Sequence, residues 1–149
     1  MYERGTFQTT YHDLTEPLGA RLIGATVFET KAGYTRAPYH FHDGVEEWMY
    51  VVSGEPVLRD PGGERALQPG TLVAFQAGPV GAHTWAGPGR AVMFSVGARG
   101  WGEAFTSVYL DADKIGGKPG VQFLRTAALQ TWTEPAVVPV PPAPAGPCP

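Results

Sequence analysis

From residue 20 to residue 97 the chain is cut by turn signals roughly every six to ten residues. Ala32-Gly33, Ser53-Gly54, Asp60-Pro61-Gly62-Gly63, Gln68-Pro69-Gly70, Ala77-Gly78-Pro79 and Gly87-Pro88-Gly89 each separate short runs of strand-forming residues. Glycine supplies positive φ and proline removes a ladder donor, so such clusters end strands. No window of comparable length shows helical periodicity. Seven or eight short strands joined this way predict an all-β fold, a sandwich or barrel of antiparallel strands.

The expected strands are residues 20–31, 34–42, 46–53, 55–59, 64–67, 71–76, 82–85 and 91–96. Residues 46–53 are apolar on both faces and read as a fully buried strand. Residues 1–19 are polar and mixed, with one turn at Glu16-Pro17-Leu18-Gly19. Downstream, residues 106–110 read as an added strand and 111–120 as loop. Thr126-Ala127-Ala128-Leu129-Gln130 can form one or two helical turns. The division expected is a single domain over 1–133, with its core at about 20–97 and an extension at 98–133. A proline-rich tail over 134–149 is expected to be exposed and polyproline-like or disordered.

Composition narrows the function classes. Apolar residues make up 43% and charged residues 17%, which suits a globular domain. The net charge of −3 argues against nucleic acid or an anionic membrane as partner. Cys148 is the single cysteine, so neither an internal disulfide nor a cysteine-based zinc site is available. No signal-peptide core and no apolar run of about 20 residues is present, so a cytoplasmic location is expected.

The chemistry lies in the histidines. His40 and His42 are two residues apart, so on a strand both imidazoles leave one face. A carboxylate follows in Glu46-Glu47, and His83 comes after a second apolar run. The fourth histidine, His12, sits in the polar N-terminal stretch and reads as a surface residue. The functional reading is one metal ion held by His40, His42, Glu47 and His83. Three imidazoles and a carboxylate suit a divalent Fe, Mn, Ni, Cu or Zn ion, with coordination positions left open for water, substrate or dioxygen. Periodicity alone does not choose between Glu46 and Glu47. Trp85 shares its strand face with His83, and Met49 shares that of Glu47. These, with Phe75 and Met93, are candidate walls of a substrate pocket, as is Phe28; Phe28, Phe75 and Met93 read first as core, and Trp85 reads first as wall. No Ser-His-Asp set, phosphate-binding glycine loop or nucleophilic cysteine is evident, which leaves a metal as the reactive centre.

The stretch from Gly33 through His40-x-His42, Glu47 and Gly54 resembles the first motif of the cupin superfamily. The spacing from Glu47 to Gly54 favours Glu47 over Glu46 as the ligand, and Gly33 stands one residue further upstream than in the pattern. The second motif is matched from Gly70 through Gly78 to His83. Here Gln76 replaces a proline, the loop before His83 is two residues longer, and Gly87 stands where the family has asparagine. The segment Ser107 to Lys114 resembles the continuation found in a branch of small bacterial single-domain cupins. The resemblance implies a jelly-roll barrel with the metal inside. An apolar or aromatic-lined pocket with one metal suits a small organic ligand with an oxygen donor, such as an enol, phenol, diketone or carboxylate. The resemblance leaves the reaction open. A complete ligand set with vacant positions makes a dioxygenase-like oxidoreductase the first expectation. A metal-dependent isomerase or lyase and a non-catalytic binding module are the alternatives. The resemblance also implies a homodimer.

Overall fold

The computed structural model describes residues 7–97 and 106–116, together with the backbone of 122–124. Within them lie β1 (Thr9–Asp13), β2 (Ile23–Thr30), β3 (His40–Asp43), β4 (Glu46–Gly54), β5 (Val57–Asp60) and β6 (Gly63–Ala66). They are followed by β7 (Leu72–Phe75), a single 3-10 turn (Pro79–Gly81), β8 (Thr84–Ala86), β9 (Gly89–Val96), β10 (Thr106–Tyr109), β11 (Lys114–Gly116) and β12 (Gln122–Leu124). No α-helix occurs among the described residues. Every pairing between named strands is antiparallel. A five-stranded sheet runs β1-β2-β9-β4-β7, a four-stranded sheet β12-β11-β10-β3, and a three-stranded sheet β6-β5-β8. The architecture is all-β and of the jelly-roll kind.

The inner face of the large sheet is built in rungs, because residues opposite one another in a ladder share a face. Val51 stands opposite Ala91, which stands opposite Phe28. One rung on, Met49 meets Met93 and Val73. One rung further, Glu47 meets Ser95 and Phe75. Met49, Val51, Ala91, Met93 and Phe75 join Leu58, Leu67 and Trp85 from the facing elements in the buried core. A polar rung holding Glu47 therefore sits directly against an apolar core.

Four sequence expectations need correction. The strand at 46–53 is not buried on both faces. Glu47, Met49 and Val51 are buried, while Glu46, Trp48 and Tyr50 are exposed. The outer row is apolar without being covered by any described residue, which is why composition read it as core. Residues 9–13, within the stretch read only as polar and mixed, form β1. It pairs along β2 from Thr9 opposite Thr30 to Asp13 opposite Thr26, with His12 exposed. Lys114–Gly116, read as loop, is a strand because it returns antiparallel to β10. The segment read as extended from residue 34 is regular strand only from His40. The suggested helical turns at 126–130 and the tail at 134–149 lie outside the described residues.

Gly54 ends β4 with φ of 77°. A Cβ there would stand 2.4 Å from the carbonyl oxygen of Pro88, so the close passage of the Pro88-Gly89 turn admits no side chain.

Candidate metal centre

Three elements deliver the four predicted side chains. β3 carries His40 and His42, β4 begins with Glu46-Glu47, and His83 enters just ahead of β8. His40 and His83 form an isolated antiparallel bridge, with each backbone N–H donating to the other's carbonyl at 3.2 and 2.8 Å. That bridge ties β3 to the approach of β8. The extra residues before His83 are absorbed by the 3-10 turn, where the Gly81 and Ala82 amides donate back to Gly78 and Pro79. A Cβ on Gly81 would stand 1.8 Å from the Gln76 carbonyl oxygen, so only glycine fits this turn.

Each imidazole is oriented by a partner on its Nδ1. His40 Nδ1 lies 2.7 Å from the Pro38 carbonyl oxygen, and His83 Nδ1 lies 2.9 Å from that of Gly81. His42 Nδ1 lies 2.8 Å from Ser107 Oγ. A carbonyl only accepts, so Nδ1 of His40 and His83 carries the proton and Nε2 carries the lone pair. His42 Nε2 and His83 Nε2 stand 3.1 and 3.3 Å from Glu47 Oε2. The ligand atoms of His40, Glu47 and His83 all lie within 4.8 Å of one another. Donors bound to one ion at about 2.0–2.2 Å stand roughly 3 to 4 Å apart, so the set is close to that needed.

Glu47 shows what the arrangement lacks. Its Oε1 accepts from Ser95 Oγ at 3.1 Å. Its Oε2 is buried with only His42 and His83 Nε2 in reach, so when those nitrogens carry lone pairs it has no donor. A buried carboxylate oxygen without a partner costs free energy. A cation among Nε2 of His40 and His83 and Oε2 would supply that partner, so these three residues fit a bound metal ion; His42 reaches Glu47 Oε2 but lies outside the group of three.

In the metal-free site burial pushes the Glu47 carboxyl up, but hydrogen bonding and positive charge from His42 and His83 outweigh it and hold the group well below its ordinary value of 4.5. Burial pushes His40 well below 6.5, helped by His83, Arg36 and His42 and opposed by Glu47. A neutral His40 and an ionised Glu47 are the forms a metal requires. Both groups have lowered values in the folded state, so the unfolded chain binds more protons as the pH falls below 6.5. Metal-free protein is therefore expected to melt at lower temperature at pH 5 than at pH 8; equal melting at the two values would contradict these environments.

Of the predicted pocket residues, Phe75 stacks on His83 with ring centroids 3.8 Å apart. Met49, Met93 and Trp85 lie in the core against the Glu47 rung. Trp85 meets Phe28 edge-on at 6.0 Å. Sequence reasoning missed the groups around the ligands. Ser95 and Ser107 orient Glu47 and His42, and Tyr109 stacks on His40 at 5.5 Å. Their signal is strand register: Ser95 is opposite Glu47, Ser107 opposite His42, and Tyr109 opposite His40.

Residues 26–97 match the family model of the cupin domain. No curated protein matches the sequence. A sugar phosphate isomerase of the cupin superfamily from Silicibacter pomeroyi is similar in structure. Its TM-score is 0.70 at 21% identity, over 79% of this chain and 77% of that one. The polyketide cyclase RemF from Streptomyces resistomycificus is similar at TM-score 0.57 and 27% identity, over 74% of this chain and 78% of that one. The DMSP lyase DddQ from Ruegeria pomeroyi follows at TM-score 0.54 and 23% identity, over 69% of this chain and 52% of that one. Among the described residues no helix is long and apolar enough to cross a membrane. The family match makes residues 26–97 a cupin domain, and the sheet order and these structural neighbours carry the same fold.

Proposed function

We propose that this chain is an enzyme that binds one divalent transition-metal ion through His40, His42, Glu47 and His83 and acts on a small organic molecule bearing oxygen donors. The observation that carries the reading is the unsatisfied Oε2 of Glu47, buried beside imidazoles whose Nδ1 atoms are already engaged. When bound, the ion supplies a positive centre able to polarise an oxygen donor or to take part in dioxygen chemistry.

The protein's own contribution is orientation and exclusion of water. Ser95 and Ser107 fix Glu47 and His42. The Phe75 and Tyr109 rings brace His83 and His40. Met49, Met93 and Trp85 give the site an apolar floor. A metal in an apolar surround with few polar groups suits an enol, phenol, diketone or carboxylate.

Two reaction classes fit this frame. The first is a dioxygenase-like oxidoreductase, supported by a ligand set that leaves coordination positions open. The second is Lewis-acid chemistry of the isomerase or lyase kind, supported by the 27% identity to a polyketide cyclase. Oxygen uptake separates them. Protein loaded with Fe(II) is expected to consume dioxygen with a phenol or diketone if the first holds. Protein loaded with Zn(II) is expected to convert such compounds anaerobically if the second holds. Absence of turnover with both metals across enols, phenols, diketones and carboxylates would contradict the enzyme reading and leave a binding module.

A homodimer is part of the proposal. Its support is the outer face of the large sheet, where Ile23, Trp48, Tyr50, Leu72 and Val96 are exposed side by side with Phe94. An uncovered apolar patch of this kind marks an association surface.

A further inference from the structure

Arg36 is a cation in the wrong place for a purely structural residue. Its guanidinium carbon lies 4.2 Å above the Phe28 ring and 5.4 Å from the Trp85 ring. Trp85 is only 1% exposed and Phe28 is partly buried against the core. The Nε of Arg36 is buried with no hydrogen-bond partner. Among the described residues Arg36 makes no ion pair, whereas Arg59, Arg65 and Arg90 each contact an aspartate or glutamate. Burial disfavours the Arg36 charge, and Glu47 and Tyr109 partly compensate, which puts the guanidinium within electrostatic reach of the metal ligands. Stacking on two aromatic faces offsets some of the desolvation cost and fixes the plane of the fork. It leaves the buried Nε–H without an acceptor.

Glu47 does not serve as that acceptor, because its oxygens face Ser95 Oγ and the histidine nitrogens. With a divalent ion in place, the carboxylate of Glu47 is outweighed by the ion and Arg36 together. The site then carries an excess of positive charge within an apolar surround. Such a site discriminates by charge, because the partner that neutralises a desolvated cation is strongly preferred over a neutral isostere.

From this geometry we infer that Arg36 is the anchor for a carboxylate on the bound molecule, and that the substrates are small organic acids whose second oxygen donor reaches the metal. The inference rests on the metal-dependent reading and names the substrate class for that site. A planar guanidinium pairs two N–H groups with two carboxylate oxygens in one plane. A phosphate ester shares this chemistry but usually gathers several donors or a glycine-rich loop. Arg36 stands alone here, which favours the singly charged carboxylate.

The test uses the full chain in Zn(II)-loaded and chelated forms, with metal content measured separately. Calorimetry compares mandelate with mandelamide, lactate with lactamide, and methyl phosphate. The acids are expected to bind at least about tenfold more tightly than their amides. Arg36→Gln is expected to bring that ratio to within about twofold, with metal content unchanged. Arg36→Lys keeps the charge but loses the fork and the stacking; it is expected to weaken acid binding while holding the metal, and it serves if Arg36→Gln does not fold. A wild-type protein that binds acid and amide alike in both forms would overturn the inference. So would an acid preference that survives both substitutions, or methyl phosphate binding more tightly than either acid through Arg36. A chain that takes up no metal yet shows the Arg36-dependent preference would sink the metal reading and spare the anion site.

Discussion

Trp85→Ala is expected to destabilise the domain by about 3–5 kcal/mol, the largest effect on stability of any single truncation in the core. The indole is almost completely enclosed and packs with Met49, Leu58 and Met93 in the one buried cluster among the described residues. It also supports the Phe28 ring and lies beneath the Arg36 guanidinium. Truncation leaves a cavity lined from both sides of the fold, and β8 is a three-residue strand with little freedom to collapse into it. In a domain of this size the loss corresponds to a drop in Tm of roughly 10 °C or more. Thermal denaturation in excess chelator reads it without interference from metal. A drop of only a degree or two would mean that Trp85 is not the keystone of the core.

The second large effect falls on cation binding. Glu47→Gln keeps the shape of the side chain but removes its charge. It is expected to weaken metal binding by more than about a hundredfold, with His83→Ala at least as severe. Ser107→Ala and Ser95→Ala leave every ligand present and remove only the groups that aim His42 and Glu47. They are expected to cost about 10–100-fold each. The order matters more than the size. If the serine variants lost as much as the ligand variants, the loss would reflect collapse of the site and not loss of aim. Competition against a metal indicator dye measures all four.

Much of the fold is legible in the sequence because its signals are local. Asp60-Pro61-Gly62-Gly63 closes the β5–β6 hairpin where composition places it, with Asp60 opposite Gly63. All eight strands between residues 20 and 97 arise where turns bracket strand formers. The edges are less legible. β1 and β11 owe their form to pairing with β2 and β10, and neither has a strong pattern of its own. The outward row Trp48, Tyr50, Val52 hides the alternation of β4, since an exposed apolar face reads the same as a buried one.

The candidate site divides along the same line. His40 and His42 share a face by parity, and the structure brings Glu47 and His83 to them. The choice of Glu47 over Glu46 comes from the spacing to Gly54 and agrees with the burial of Glu47 and the exposure of Glu46. Ser95 and Ser107 could not be assigned, because they act across 48 and 65 residues of chain through registers that one sequence does not reveal. Arg36 carries no local signal of its own, and only the folded chain places its guanidinium over the Phe28 and Trp85 rings.

The central claim is that four side chains from three elements hold one cation. The direct measurement is elemental analysis of the full chain after incubation with Fe, Mn, Ni, Cu or Zn and exhaustive desalting. The account predicts about one ion per chain for at least one of these metals, and almost none in the His83→Ala and Glu47→Gln proteins. A wild-type chain that emerges empty from all five, or variants that retain metal as the wild type does, would contradict it.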